Sequence, residues 1–73
     1  MAERLSDEDA RGFAEEAYTY VTQQGGSFNR RPQFVAGFAR ELGMDVHSAD
    51  TAFKAMEKSY AEGLLTLGYR FHL

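Results

Sequence analysis

The sequence predicts a small, mainly helical domain, with three helices followed by a short β element. Apolar residues recur at helical spacing in three segments of the chain. A glycine follows each of these segments, as expected where a helix ends in a left-handed residue. The closing segment, LLTLGYRFHL, instead alternates apolar and polar side chains, which is typical of a strand.

Length and composition are those of one globular domain, spanning residues 1–73. Six phenylalanines and four tyrosines can fill a small core, each contributing about 1.5–3 kcal/mol when buried. The chain has no cysteine, which excludes disulfides and thiolate metal sites. Neither a signal peptide nor an apolar span is recognisable, so we expect a cytoplasmic protein with no membrane partner.

The first helix is expected from about Asp7 to Gln24. Ser6 is a suitable N-cap, with Asp9 three residues later as its capping-box partner. Gly25 and Gly26 would end the helix. The residues predicted to form its inward stripe are Ala10, Phe13, Ala14, Ala17, Tyr20, Val21 and Gln24.

The second helix is expected from about Pro32 to Leu42, with proline in the first turn, where its missing N–H costs nothing. Gly43 would close it. The connector that precedes it, Ser27 to Asn29, could form a short strand. The residues predicted to form the buried face of the second helix are Phe34, Val35, Phe38, Ala39 and Leu42.

The third helix is expected over about residues 48–62, with Ser48 as its N-cap and Gly63 as its stop. Wing-like strands would follow over about residues 64–73, either as a hairpin near Gly68 or as one bent strand beside Ser27–Asn29. Met44 and Val46 lie in the turn before this helix, and their side chains are expected to pack into the core. The residues of the third helix predicted to point inward are Ala49, Ala52, Phe53, Met56 and Tyr60.

The stretch from about Ser27 to Leu73 resembles a winged helix-turn-helix domain. Ala39 matches the small residue that lets the second helix pack closely on the third. Gly43 matches the glycine that begins the turn, and Met44 matches the apolar residue after it. The resemblance implies a DNA-binding domain whose third helix enters the major groove and runs into a first wing strand.

Two groups of residues are candidates for nucleic-acid contact. Thr51, Lys54 and Lys58 share the exposed face of the third helix, where they could reach phosphates or base edges, or simply form a solvated face with i,i+4 ion pairs. The second group consists of arginines that could hold phosphates at the rim or lie in surface loops: Arg30, Arg31 and Arg70.

No catalytic or metal-binding constellation is recognisable, so we expect neither an enzyme nor a cofactor. His47 and His72, the two histidines, have no further ligands at metal-binding spacing. The acidic residues of the first helix lack an apolar wall that would raise a carboxyl pKa. A solvated face is the simpler interpretation of those carboxylates.

The leading hypothesis is a small non-enzymatic DNA-binding protein that acts in transcription regulation. Because the formal net charge is −3, charge-driven attraction to nucleic acid is disfavoured overall. The alternative is an acidic interaction module or inhibitor that binds another protein. Tyr18, Tyr69 and Phe71 are the candidate interface residues, and an uncovered edge strand at the C-terminal segment predicts a homodimer or a protein partner.

Overall fold

The computed structural model describes residues 5–24 and 31–66, which form five helices and no strand. The mainly helical class is therefore confirmed, and the β element is not seen in these ranges. None of the helices described is long and apolar enough to cross a membrane. The helices are α1 (Asp7–Arg11), α2 (Ala14–Gln23), α3 (Arg31–Leu42), α4 (Val46–Ser59) and α5 (Ala61–Thr66).

Helix α4 is the centre of the packing, since α1, α2, α3 and α5 all contact it. Phe53 is completely buried and meets the ring of Phe38 edge-on, with 5.5 Å between ring centroids. Tyr20 adds a second edge-on contact to Phe38, at 5.7 Å. The buried apolar residues are Ala10, Ala17, Val21, Phe34, Val35, Phe38, Ala39, Met44, Ala49, Ala52, Phe53, Met56 and Leu64.

The prediction of one continuous first helix is wrong, because the helix is interrupted at Gly12 and Phe13. Phe13 N donates to the Ala10 carbonyl at 3.0 Å, a tightened turn that ends α1 before α2 starts. Glycine inside a helix lowers its stability enough for packing to decide the local path. The break allows α1 to pack on α4. The prediction that Ser6 caps the helix is confirmed, since the Ser6 hydroxyl accepts a hydrogen bond from Asp9 N at 3.1 Å.

Helix α3 and the turn after it follow the prediction closely. Pro32 lies in the first turn of α3, and Gly43 has a φ of +67°, the left-handed conformation that ends a helix. Met44 is buried, and its N–H donates to the Ala39 carbonyl at 2.9 Å. Leu42 is an exception, because 41% of it is exposed, although it was predicted to be buried.

The prediction of Ser48 as an N-cap is wrong, because α4 starts earlier and is capped by Asp45. The Asp45 carboxylate accepts from Ser48 N at 3.3 Å and from the Ser48 hydroxyl at 2.6 Å. That hydroxyl is buried and also accepts from Leu5 N at 2.9 Å. Asp45 thus caps α4, while the Ser48 hydroxyl holds Leu5. The earlier start leaves Val46 60% exposed rather than in the core.

Residues 64–66, predicted as the start of a wing strand, are helical, and Gly63 lies within α5 instead of stopping a helix. Tyr60 separates α4 from α5, and Leu64 N donates to its carbonyl at 3.1 Å. As a helix, this segment buries Leu64 in the core, and glycine suits residue 63 because a Cβ there would collide with the Tyr18 hydroxyl. Tyr18 stacks on Tyr60 at 4.4 Å, so glycine allows α5 to approach α2.

Some predictions fall outside the described residues. These are the short strand at Ser27–Asn29 and the part of the wing over residues 67–73.

Phe53→Ala should lower the free energy of unfolding by about 3–5 kcal/mol, because it removes a fully buried ring from the centre of the core. Chemical denaturation followed by circular dichroism measures this change. Leu65→Ala is the matched control: 66% of Leu65 is exposed, so it should change stability by less than about 0.5 kcal/mol. Equal effects of the two substitutions would contradict the register of α4.

Candidate nucleic-acid interface

Arg31 lies inside the domain rather than at its surface. Its Nη1 lies 2.5 Å from Asp50 Oδ1, and its Nε lies 2.8 Å from Glu57 Oε2. The Arg31 side chain is 11% exposed and that of Glu57 is 3% exposed. Because residues 50 and 57 lie two turns apart on one face of α4, a single guanidinium can bridge both carboxylates. This pairing ties the start of α3 to α4.

The ion pairs shift the pKa values of Arg31 and Asp50. Burial would lower the pKa of the Arg31 guanidinium, but hydrogen bonds to Asp50 and Glu57 raise it above its ordinary value. Burial would likewise raise the pKa of the Asp50 carboxyl, but the hydrogen bond and charge of Arg31, with help from Lys54, lower it. The charge of Arg31 is thus engaged within the domain, where a phosphate would have to compete with two carboxylates.

Thr51, Lys54 and Lys58 lie together on the outward face of α4. Lys54 is 71% exposed, and its Nζ lies 3.3 Å from Asp50 Oδ2. Lys58 is also exposed. The Thr51 hydroxyl donates to the carbonyl of His47 at 3.1 Å. Its proton is therefore engaged, while its methyl group and oxygen lone pairs remain available to a ligand.

Helix α1 adds a second wall to this face. Together with α4 it forms a groove of about 350 Å³, here called the α1–α4 groove. Arg11 is the exposed cation that α1 contributes, and sequence periodicity missed it because no pattern along the chain places α1 beside α4. The residues lining the groove are Asp7, Arg11, His47, Thr51, Lys54, Ala55 and Lys58.

The α1–α4 groove is basic but not uniformly so. Arg11, Lys54 and Lys58 supply positive charge, and His47 adds more when protonated. Asp7 opposes them from α1, with its Oδ1 3.6 Å from His47 Nε2. Since both of those side chains are more than half exposed, water and salt screen the pair strongly. The groove can therefore attract an anion, but only moderately.

The remaining candidates have mixed placements. Tyr18 is half-buried between α2 and α5, where its ring packs on Tyr60. The other candidates lie outside the described residues: Arg30, Tyr69, Arg70 and Phe71.

Within residues 5–24 and 31–66, no group of three or more histidine, aspartate or glutamate side chains could hold a metal ion. The chain matches no known protein family, no curated protein and no solved structure.

Arg31→Ala should lower the free energy of unfolding by about 3 kcal/mol or more, because Glu57 would keep a buried charge without its guanidinium partner. Denaturant titration gives the value. Arg40→Ala is the matched control on the same helix, since Arg40 is exposed and its loss should cost less than about 0.5 kcal/mol. A loss at Arg31 no larger than at Arg40 would mean that the cluster does not join α3 to α4.

The lowered pKa of the Asp50 carboxyl predicts a loss of stability in acid. An unfolded aspartate titrates near pH ~3.9, so Asp50 contributes its full stabilisation above about that pH and loses it as the pH falls through the lower folded value. Asp50→Asn should have a lower free energy of unfolding than the parent at neutral pH, and that free energy should fall less than the parent's below about pH 4. Glu8→Gln, at an exposed position of α1, should keep the parent's acid response. Parallel pH profiles for the parent and Asp50→Asn would contradict this coupling.

Proposed function

We propose that this domain is a small, non-enzymatic DNA-binding protein that places α4 in the major groove of duplex DNA and acts in transcription regulation. The observation that carries the proposal is the exposed stripe of Thr51, Lys54 and Lys58 on α4, with Arg11 beside it across the α1–α4 groove. The turn from Gly43 to Asp45 between α3 and α4 supports it, because helix-turn-helix domains present a reading helix in this way.

The dimensions of α4 suit this role. Its 14 residues extend over about 21 Å, and the major groove, about 12 Å wide, admits one helix. Lys54 and Lys58 would contact phosphates or guanine edges. Because the Thr51 hydroxyl already donates to His47, Thr51 would offer its methyl group to a thymine rather than a proton to a phosphate.

The charge pattern indicates weak binding by a single domain. Asp50 holds Lys54, and Asp7 faces the same groove, so part of the positive charge is cancelled before DNA arrives. One small domain also covers little DNA surface. We therefore propose that two copies act together on neighbouring half-sites, with Arg30 and Arg70 as further phosphate contacts.

Replacing both lysines, Lys54→Ala with Lys58→Ala, should weaken binding to a duplex while the domain stays folded. The slope of log affinity against log salt should flatten by about 2, because each lysine that neutralises a phosphate accounts for about one unit of that slope. Fluorescence anisotropy of a labelled duplex, titrated at several salt concentrations, measures both effects. Circular dichroism checks the fold.

Arg40→Glu is the charge-matched control for that double variant. It changes the net charge by the same two units but lies on α3, away from the α1–α4 groove, so it should weaken binding much less. An equal loss in both variants would show that binding depends on overall charge and not on α4. If the parent protein does not bind duplex DNA even at low salt, the proposal fails.

A second function remains a candidate because Asp7 and Asp50 interrupt the basic stripe. Alternating charges of this kind suit a protein partner better than the uniformly negative surface of DNA. On this alternative, the domain is an interaction module or inhibitor that binds another protein. Tyr69 and Phe71 would belong to its interface or to that of a homodimer.

A further inference from the structure

A second groove, of about 230 Å³, lies between α2 and α3, and it shares no lining residue with the α1–α4 groove. Its base is apolar and its rim carries carboxylates, whereas the α1–α4 groove carries Lys54 and Lys58. We call it the α2–α3 groove. Its lining includes Glu15, Glu16, Tyr20, Phe38, Glu41 and Leu42.

The apolar base is open because Leu42 is not covered. Leu42 is 41% exposed, although it lies on the same face of α3 as the buried Phe38. Tyr20 is half-buried beside it, with its ring edge-on to Phe38, which is itself buried. The groove therefore offers an aliphatic surface and an aromatic ring above a well-packed part of the core, so its shape should be preorganised.

The carboxylates at the rim are available to a partner. Glu15 and Glu16 lie in the first turn of α2, and Glu41 lies near the end of α3. All three are exposed, and the ion pairs found within residues 5–24 and 31–66 include none of them. The groove thus has acceptors that no described cation of the domain occupies.

The charge of Glu41 acts on Tyr20 at the base of the groove. Burial raises the pKa of the Tyr20 hydroxyl, and the charge of Glu41 raises it further, while Arg40 opposes that effect. Arg40 is therefore the described cation whose charge acts on Tyr20. Its single charge faces three carboxylates on the groove, so the balance remains negative.

We propose that the α2–α3 groove binds a basic peptide segment of another protein, one that presents an arginine or lysine next to an apolar side chain. The long stem of such a cation would lie on Leu42 and Tyr20 while its head reaches Glu16 and Glu41. The charge of the rim excludes nucleic acid as the occupant. A metal ion is also a poor fit, since the carboxylates of the described residues do not converge into a metal-binding group.

The probe is a synthetic 12-residue peptide with alternating arginine and leucine, capped at both ends. Two peptides of the same length serve as comparisons: one has citrulline for arginine, which keeps the shape without the charge, and the other has serine for leucine. Heteronuclear NMR of the full chain should show shifts at Thr19, Tyr20 and Leu42 with the arginine–leucine peptide. The citrulline and serine peptides should each bind at least about tenfold more weakly, because each lacks one half of the complementarity.

The decisive variant replaces Glu16→Gln and Glu41→Gln together, which removes two charges and keeps the side-chain shapes. This variant should bind the arginine–leucine peptide with about tenfold lower affinity than the parent, as measured by isothermal titration calorimetry. The control replaces Glu8→Gln and Glu62→Gln, two exposed glutamates outside the groove, and should retain parental affinity. Equal losses in the two double variants would overturn the proposal, as would equal affinity for the serine peptide.

The lysine variant Lys54→Ala with Lys58→Ala separates this inference from DNA binding. It should bind the arginine–leucine peptide as tightly as the parent does, since neither lysine lines the α2–α3 groove. A loss of peptide binding in this variant would place the peptide elsewhere and overturn the inference. Failure of the parent protein to bind DNA would leave the predicted peptide binding unchanged.

Discussion

Burial of one face of α4 is the constraint on which the rest of the structure depends. Ala49, Ala52, Phe53 and Met56 are completely buried, because all the other described helices contact α4. A helix held in this way has one orientation about its axis. The strip from His47 through Thr51 and Lys54 to Lys58 lies on the outward side of α4, with α1 as its side wall.

Arg31 affects this surface without belonging to it. By bridging Asp50 and Glu57, its single positive charge offsets part of the negative charge on the helix that carries Lys54 and Lys58. A buried ion pair is weak support for stability in itself, but removal of one partner leaves an uncompensated charge. The arginine therefore keeps α3 against α4 and reduces the repulsion that Asp50 would exert on an approaching anion.

The domain has surfaces of opposite character in two grooves. The α1–α4 groove carries Arg11, Lys54 and Lys58. The α2–α3 groove carries three glutamates beside exposed Leu42 and half-buried Tyr20. This separation explains how a chain with a net charge of −3 can still present a basic face. The total charge averages over both grooves, whereas a ligand meets only one of them, within a screening length of about 10 Å.

The sequence by itself determined the helical class, the bounds of α3, the left-handed Gly43 and four inward residues of α4, namely Ala49, Ala52, Phe53 and Met56, because periodicity and glycine stereochemistry are local properties. It also placed Thr51, Lys54 and Lys58 on one outward face. Tertiary packing decided the rest. The break at Gly12 allows α1 to pack on α4, and Gly63 within α5 leaves the space that Tyr18 occupies. Arg31 contacts its two carboxylates, and Arg11 lies beside Lys54 and Lys58, because helices distant in the chain pack together. Such contacts depend on the relative position of whole elements, which no pattern within a single element records.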